Sequence, residues 1–135
     1  MKVKIAIADS IAEEEVLLLY RENQWSSANH TSTLVAALRS SHTLITARVA
    51  GELVGLANAI SDGHLVVYYP YLLVRPAYQG KGIGRQLMAA MQSIYSHYHQ
   101  QMLTADGEAV AFYQAMGFER AGETVAMWVY SGSDH

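Results

Sequence analysis

The sequence predicts an α/β fold, a mixed β-sheet flanked by helices on both faces in the order β-α-α-β-β-β-α-β-α-β. Three observations carry that reading. Alternating apolar patterns of strand type interchange with helical patterns along the whole chain. The strands in the middle follow one another through short turns, as hairpins do. The later strands are separated by helix-length segments, the spacing of βαβ crossovers. With 135 residues, 51% hydrophobic and 16% charged, the chain has the length of one domain (1–135, with a loose tail at 131–135) and enough apolar surface to build a core.

Each element has a local reason. Val3, Ile5 and Ile7 alternate with Lys2, Lys4 and Ala6, which makes 2–8 a strand. Ser10 with Glu13 fits a capping box, and Ala12, Val16, Leu19 and Tyr20 then form one helical face. Leu34, Val35 and Leu38 mark a second, shorter helix. Strands are expected at 44–49 and 53–60, separated by Gly51. Asp62-Gly63 is a hairpin signal, and the nearly continuous apolar run 65–74 reads as a strand covered on both faces. Pro76 ends it. After the glycine-rich segment 79–84, the residues Ile83, Leu87, Met91, Ile94 and Tyr98 share a helical face. A short strand is expected at 102–105. Asp106 is placed to cap a helix carrying Ala109, Phe112, Tyr113 and Met116, and Gly117 suits its end. A last strand is expected at 124–130.

Composition excludes several classes. Nine basic against twelve acidic residues give a net charge of −3, the wrong sign for a nucleic-acid or anionic-membrane binder. Absence of cysteine removes disulfides, thiolate–metal sites and a cysteine nucleophile, and fits a cytoplasmic protein. Lys4, Asp9 and Glu13–Glu15 interrupt any signal-peptide stretch, and Asp62-Gly63-His64 and Pro70 break the most apolar region. His97 and His99 lie two apart at a helix end and share no face, so no metal is expected.

The segment Gln79-Gly80-Lys81-Gly82-Ile83-Gly84, between a buried strand and a helix, has the makings of an anion site. The first helical N–H groups lack internal partners, the helix dipole places positive potential there, and glycines admit a phosphate close to the backbone. Lys81 and Arg85 add charge at the rim. Two known phosphate loops fail the test. A nucleotide P-loop needs Ser or Thr after Lys81 and glycine at Arg75. A dinucleotide fingerprint needs glycine at Leu87 or Arg85.

The segment Leu72-Leu73-Val74-Arg75-Pro76-Ala77-Tyr78-Gln79-Gly80-Lys81-Gly82-Ile83-Gly84 resembles the signature of the GNAT N-acetyltransferase superfamily: a strand ending in Val-x-Pro, then Gln/Arg-x-x-Gly-x-Gly/Ala opening a helix. Phe112-Tyr113-Gln114-Ala115-Met116-Gly117-Phe118 resembles that family's C-terminal Phe-Tyr-x-x-x-Gly-Phe. The expected element order matches the GNAT fold over nearly the whole chain. The resemblance implies acetyl-CoA as co-substrate, without a metal. Leu72, Leu73 and Val74 would bind the pantetheine arm through their backbone. Gln79, Gly80, Lys81, Gly82, Ile83, Gly84 and Arg85 would cradle the pyrophosphate, and Asp106 and Phe112 would face the cofactor. It further implies that the strand before the loop splays from the next one, here 65–74 from 102–105. Pro70 is consistent with broken pairing there. Many relatives have Asn where Asp106 stands, and a carboxylate at or near Tyr71, where this chain has Tyr68-Tyr69-Pro70-Tyr71.

The resemblance makes Tyr113 the general acid that protonates the departing thiolate; from spacing alone it is equally a core aromatic. Ordinary thiol and phenol pKa values of about 8.5 and 10 make that transfer uphill by roughly 2 kcal/mol, a gap that an apolar site narrows by raising the thiolate. An alkylamine acceptor is neutral in only about one molecule in 2,500 at pH 7, so a proton route is needed; Tyr69, Tyr71, His64, Asp62 and Glu22 are the groups on offer. Trp25, with Tyr69 and Tyr71, is a candidate acceptor wall, and Trp25 is equally a loop aromatic. Trp128 reads as core or dimer contact. The expected activity is transfer of acetyl to a primary amine of a small molecule or peptide, with a homodimer implied by family likeness. The alternatives are a non-catalytic CoA-binding sensor on the same fold and an enzyme using longer acyl groups.

Overall fold

The computed structural model describes residues 1–8 and 10–132; the end of the expected tail, 133–135, lies outside them. Six strands form one sheet. They are β1 (Val3–Ile7), β2 (Thr43–Val49), β3 (Glu52–Ser61), β4 (Val66–Tyr68), β5 (Leu72–Val74) and β6 (Gln100–Met102). β1, β2, β3 and β4 are neighbours in antiparallel order, β6 joins β4 in parallel, and β5 pairs with β3. The helices are α1 (Glu13–Glu22), α2 (Thr31–Arg39), α3 (Ile83–Ile94) and α4 (Val110–Ala115).

The sheet has a core on each face. α1 and α2 bring Val16, Leu19, Tyr20, Leu34, Val35 and Leu38 against Leu44, Leu53, Leu56 and Leu73. α3 brings Ile83, Leu87, Met88 and Met91 against Ile45, Ala47, Val54, Ala57 and Val74. Alternation along β3 changes phase because the pairing slips between Ala47 and Arg48, where Gly55 and Leu53 are consecutive partners; the extra residue, Val54, is a β-bulge. Gly55 follows it, and a Cβ there would stand 2.9 Å from the Leu73 carbonyl oxygen and 3.1 Å from Leu87 Cδ1. Only glycine lets β5 and α3 approach β3 this closely.

Several expected boundaries are corrected. α1 is capped at Ala12, whose N–H donates to the Glu15 carboxylate at 3.0 Å, and the Ser10–Glu13 box does not form. Glu15 also forks onto Arg48 at 2.9 and 2.7 Å, and that guanidinium holds its carboxyl below the usual range. Tyr98 lies beyond the end of α3. The expected strand at 102–105 forms earlier, as Gln100–Met102. α4 begins at Val110 behind Ala109, three residues past Asp106, whose carbonyl accepts the Ala109 N–H at 2.8 Å.

Two differences shape the site. The run 65–74 is two strands, interrupted at Tyr69-Pro70-Tyr71. Residues 124–130 form no strand. β6 offers only three residues for pairing, and left-handed turns at Gly117 and Gly122 redirect the chain before 124. Trp128 is therefore not core; it is 71% exposed and stacks on Tyr130 at 4.3 Å.

Candidate active site

The sheet forks at Tyr69. Its N–H donates to the Met102 carbonyl at 3.0 Å, continuing the parallel β4–β6 pairing by one rung. Beyond it Pro70 has no N–H to give, and β5 returns to β3 in the register Leu56↔Leu73. The expected splay is thus present, between β5 and the chain that follows β6.

Antiparallel pairing fixes which backbone groups face the fork. The N–H groups of Arg75 and Tyr71 both turn to β3, donating to the Val54 carbonyl at 2.8 Å and to Asn58 Oδ1 at 3.1 Å. Alternation then turns Leu73 the same way and sends the N–H groups of Leu72 and Val74 to the fork. The Val74 carbonyl is already occupied, accepting Asn23 Nδ2 at 3.1 Å and Gln79 Nε2 at 2.9 Å. Gln79 also donates to Asn23 Oδ1 at 3.2 Å, so its side chain ties the loop to the end of α1.

The glycine loop opens α3. Gly80 and Gly82 have φ of +77° and +83°, and a Cβ on either would meet nothing within 4 Å. Their backbone conformation requires glycine, and the space over them is open. The Gln79 N–H closes a turn onto Pro76 at 3.3 Å, and the first helical bond runs from the Gln86 N–H to the Gly82 carbonyl at 3.1 Å. The amides of Ile83, Gly84 and Arg85 therefore point out of the helix end. Lys81 and Arg85 are exposed beside them. Phe112 lies across the start of α3, its Cζ 3.6 Å from where a Gly84 Cβ would stand.

A cleft of about 800 Å³ begins at the fork. Leu72, Tyr69, Tyr71, Asp106 and Tyr113 line it, as do Trp25 and His30 from the α1–α2 connection and Trp128 and Tyr130 from the C-terminal segment. Burial pushes the Tyr113 phenol above its ordinary value. Trp25, Tyr20 and Tyr71 form a cluster of ring contacts at 5.2 to 6.2 Å, and the Tyr71 hydroxyl meets Ser27 Oγ at 2.7 Å. The structure thus brings Trp25, Tyr69, Tyr71, Asp106 and Tyr113 to one cleft, with Leu72 at its edge and the glycine loop at the N-terminus of α3.

The proposed proton carriers separate. Glu22 is held by Arg75 at 2.8 and 3.3 Å, which lowers its carboxyl, and Asp62 accepts the N–H groups of His64, Leu65 and Val66, which lowers its own. Neither lines the cleft, nor does His64. Tyr69 is 5% exposed, donates to Gln101 Oε1 at 2.7 Å, and is pushed up by burial; its hydroxyl joins β4 to β6. His30, unremarked in the sequence, supplies the cleft's imidazole. Its place in the turn before α2 carries no motif that would single it out. Among the described residues no three metal-ligating side chains converge, and no helix is long and apolar enough to cross a membrane.

Residues 7–128 match the family described as the acetyltransferase (GNAT) domain. The chain is 31% identical over 134 residues to the N-alpha-acetyltransferase RimI of Mycobacterium tuberculosis, covering 96% of this chain and 83% of that protein. It is 29% identical over 134 residues to an uncharacterized protein of Mycobacterium leprae, of which it spans 36% of the length and which covers 96% of this chain. Among solved structures, a GNAT-family acetyltransferase from Streptococcus pneumoniae superposes with a TM-score of 0.84 at 29% identity, covering 97% of this chain and all of that one.

Proposed function

Because the chain belongs to the GNAT acetyltransferase family, we propose that it transfers acetyl from acetyl-CoA directly to a primary amine of a small molecule or peptide, with Tyr113 as general acid. The observation that carries the reading is the forked sheet, whose free β5 edge leads from the open glycine loop to a cleft containing Tyr113.

The residues present fit the co-substrate. The glycine-lined end of α3 suits a pyrophosphate, since its amides point outward and the space over Gly80 and Gly82 is open. The outward N–H of Val74 suits the amide-bearing pantetheine arm, which would add to β5 as a strand does, and leaves the Leu72 N–H for the thioester. Acetyl-CoA supplies a thioester activated for acyl transfer. The Leu72 N–H, on the cleft wall, stabilises negative charge developing on the thioester carbonyl oxygen. Tyr113 gives its phenolic proton to the departing sulfur. The amine loses its own proton to water or to His30, the imidazole in the cleft lining, and solvent returns a proton to Tyr113. Trp25 and Tyr71 form an aromatic wall suited to an amphipathic or aromatic amine.

The test is incubation with acetyl-CoA and a panel of primary amines: alkylamines, arylamines and peptides with free N-termini. The expected result is release of one free CoA per acetylated amine, matched by an acetyl mass increment. Binding of acetyl-CoA with no acetylated product from any amine would favour the sensor reading.

A further inference from the structure

Asn58 is a polar side chain in the otherwise apolar interior of β3, and it is 3% exposed. Its position opposite the break in the 65–74 run explains it. In a regular antiparallel ladder the N–H of Tyr71 would donate to the Asn58 backbone carbonyl. Instead it donates to the side-chain Oδ1 at 3.1 Å, while the Asn58 backbone N–H donates to the Tyr71 carbonyl at 3.2 Å. One residue thus holds both backbone polar groups of Tyr71, the residue that leads into Leu72.

The orientation of the Asn58 amide is fixed by its other end. Ser41 Oγ donates its single proton to the Ala37 carbonyl at 3.0 Å. It therefore accepts from Asn58 Nδ2, at 3.0 Å, which leaves Oδ1 for the Tyr71 N–H. A directed chain runs from the end of α2 through Ser41 and Asn58 to the backbone of Tyr71, just before β5.

We infer that Asn58 is a positioning residue for acetyl transfer: by clamping Tyr71 where the strand leaves its ladder, it aims the Leu72 N–H into the cleft. The inference rests on the acetyl-transfer reading above. Asn58 is absent from the cleft lining, so it acts through the backbone.

The test compares wild type with Asn58→Leu, which keeps the branched shape and loses the acceptor, and with Ser41→Ala, which keeps the acceptor and removes its anchor. Deleting an oxyanion donor costs about 10²–10³-fold in kcat, so a misaimed one in Asn58→Leu is expected to cost about 10–100-fold. Acetyl-CoA affinity stays within about threefold, because the phosphate loop is untouched, and Ser41→Ala loses severalfold. In two-dimensional amide spectra of Asn58→Leu, the Tyr71 and Leu72 resonances are expected to move while those of α3 stay in place. If Asn58→Leu fails to fold, Ser41→Ala carries both readouts. Wild-type kcat in folded variants, or unmoved Tyr71 and Leu72 resonances, would overturn the inference. A wild type that acetylates no amine defeats the acetyl-transfer reading instead; the amide resonances then decide the structural part of the inference, and movement of Leu72 supports it.

Discussion

Tyr113→Phe is expected to lower kcat by about 10²–10⁴-fold, the range of a positioned general acid, with little change in acetyl-CoA affinity. The substitution removes one hydroxyl and keeps the ring, which packs at 5.0 Å from Phe112 and 5.9 Å from Phe118, so the fold has no reason to change. The pH dependence follows from the direction of the Tyr113 shift. Its phenol is raised by burial, so the proton that the proposed acid donates is present at all pH values below that raised pKa and is lost only above it. The kcat profile of the wild type should accordingly show no alkaline fall until above about pH 10, the ordinary phenol value. A Tyr113→Phe enzyme within about threefold of wild-type kcat would place the acid elsewhere.

Gly82→Glu is expected to abolish acetyl-CoA binding in a folded protein. Saturating ligand at about 100 times its dissociation constant adds about 2.7 kcal/mol, a rise in melting temperature of very roughly 5–15 °C for a chain of this size. The variant should lose that rise. Two effects act together. A non-glycine residue at a φ of +83° costs about 1–2 kcal/mol, and a carboxylate then stands where the proposed pyrophosphate site lies. No protein atom lies within 4 Å of a Cβ at this position, so the variant has room to fold. Gly82→Ala separates the terms: it carries the backbone strain without the charge and should retain part of the ligand-induced rise. An undiminished rise in Gly82→Glu would remove the loop from the binding site.

The glycine loop, the first two helices and the central strands are legible in the sequence because each is fixed by local chemistry: positive φ, helical spacing or alternation. The fork is less so. Residues 65–74 read as one apolar strand, since periodicity does not register a break of three residues that are themselves apolar or aromatic. Pro70 hints at it, and the second signal is Asn58, a buried amide in an apolar run that Ser41 and the Tyr71 backbone together satisfy. Gly55 looks like an ordinary strand glycine until the approach of Leu73 and Leu87 is known. Residues 124–130 have the β-branched and aromatic composition of a strand, yet composition cannot say whether a partner is within reach; turns at Gly117 and Gly122 carry them to the cleft instead. The aromatic cleft itself joins the α1–α2 connection to residues about a hundred positions later, as in the 3.1 Å contact of Ser26 with Tyr130, and no sequence pattern marks such a pairing.

The claim on which the rest depends is that acetyl-CoA occupies the fork and the glycine loop together. The direct measurement is a titration of the amide spectrum of the wild-type protein with acetyl-CoA. The largest shifts are expected at Leu72, Val74 and residues 80–85, with smaller ones at Tyr113 and little change in β1. Shifts confined elsewhere on the molecule, or an unchanged spectrum at millimolar acetyl-CoA, would contradict it.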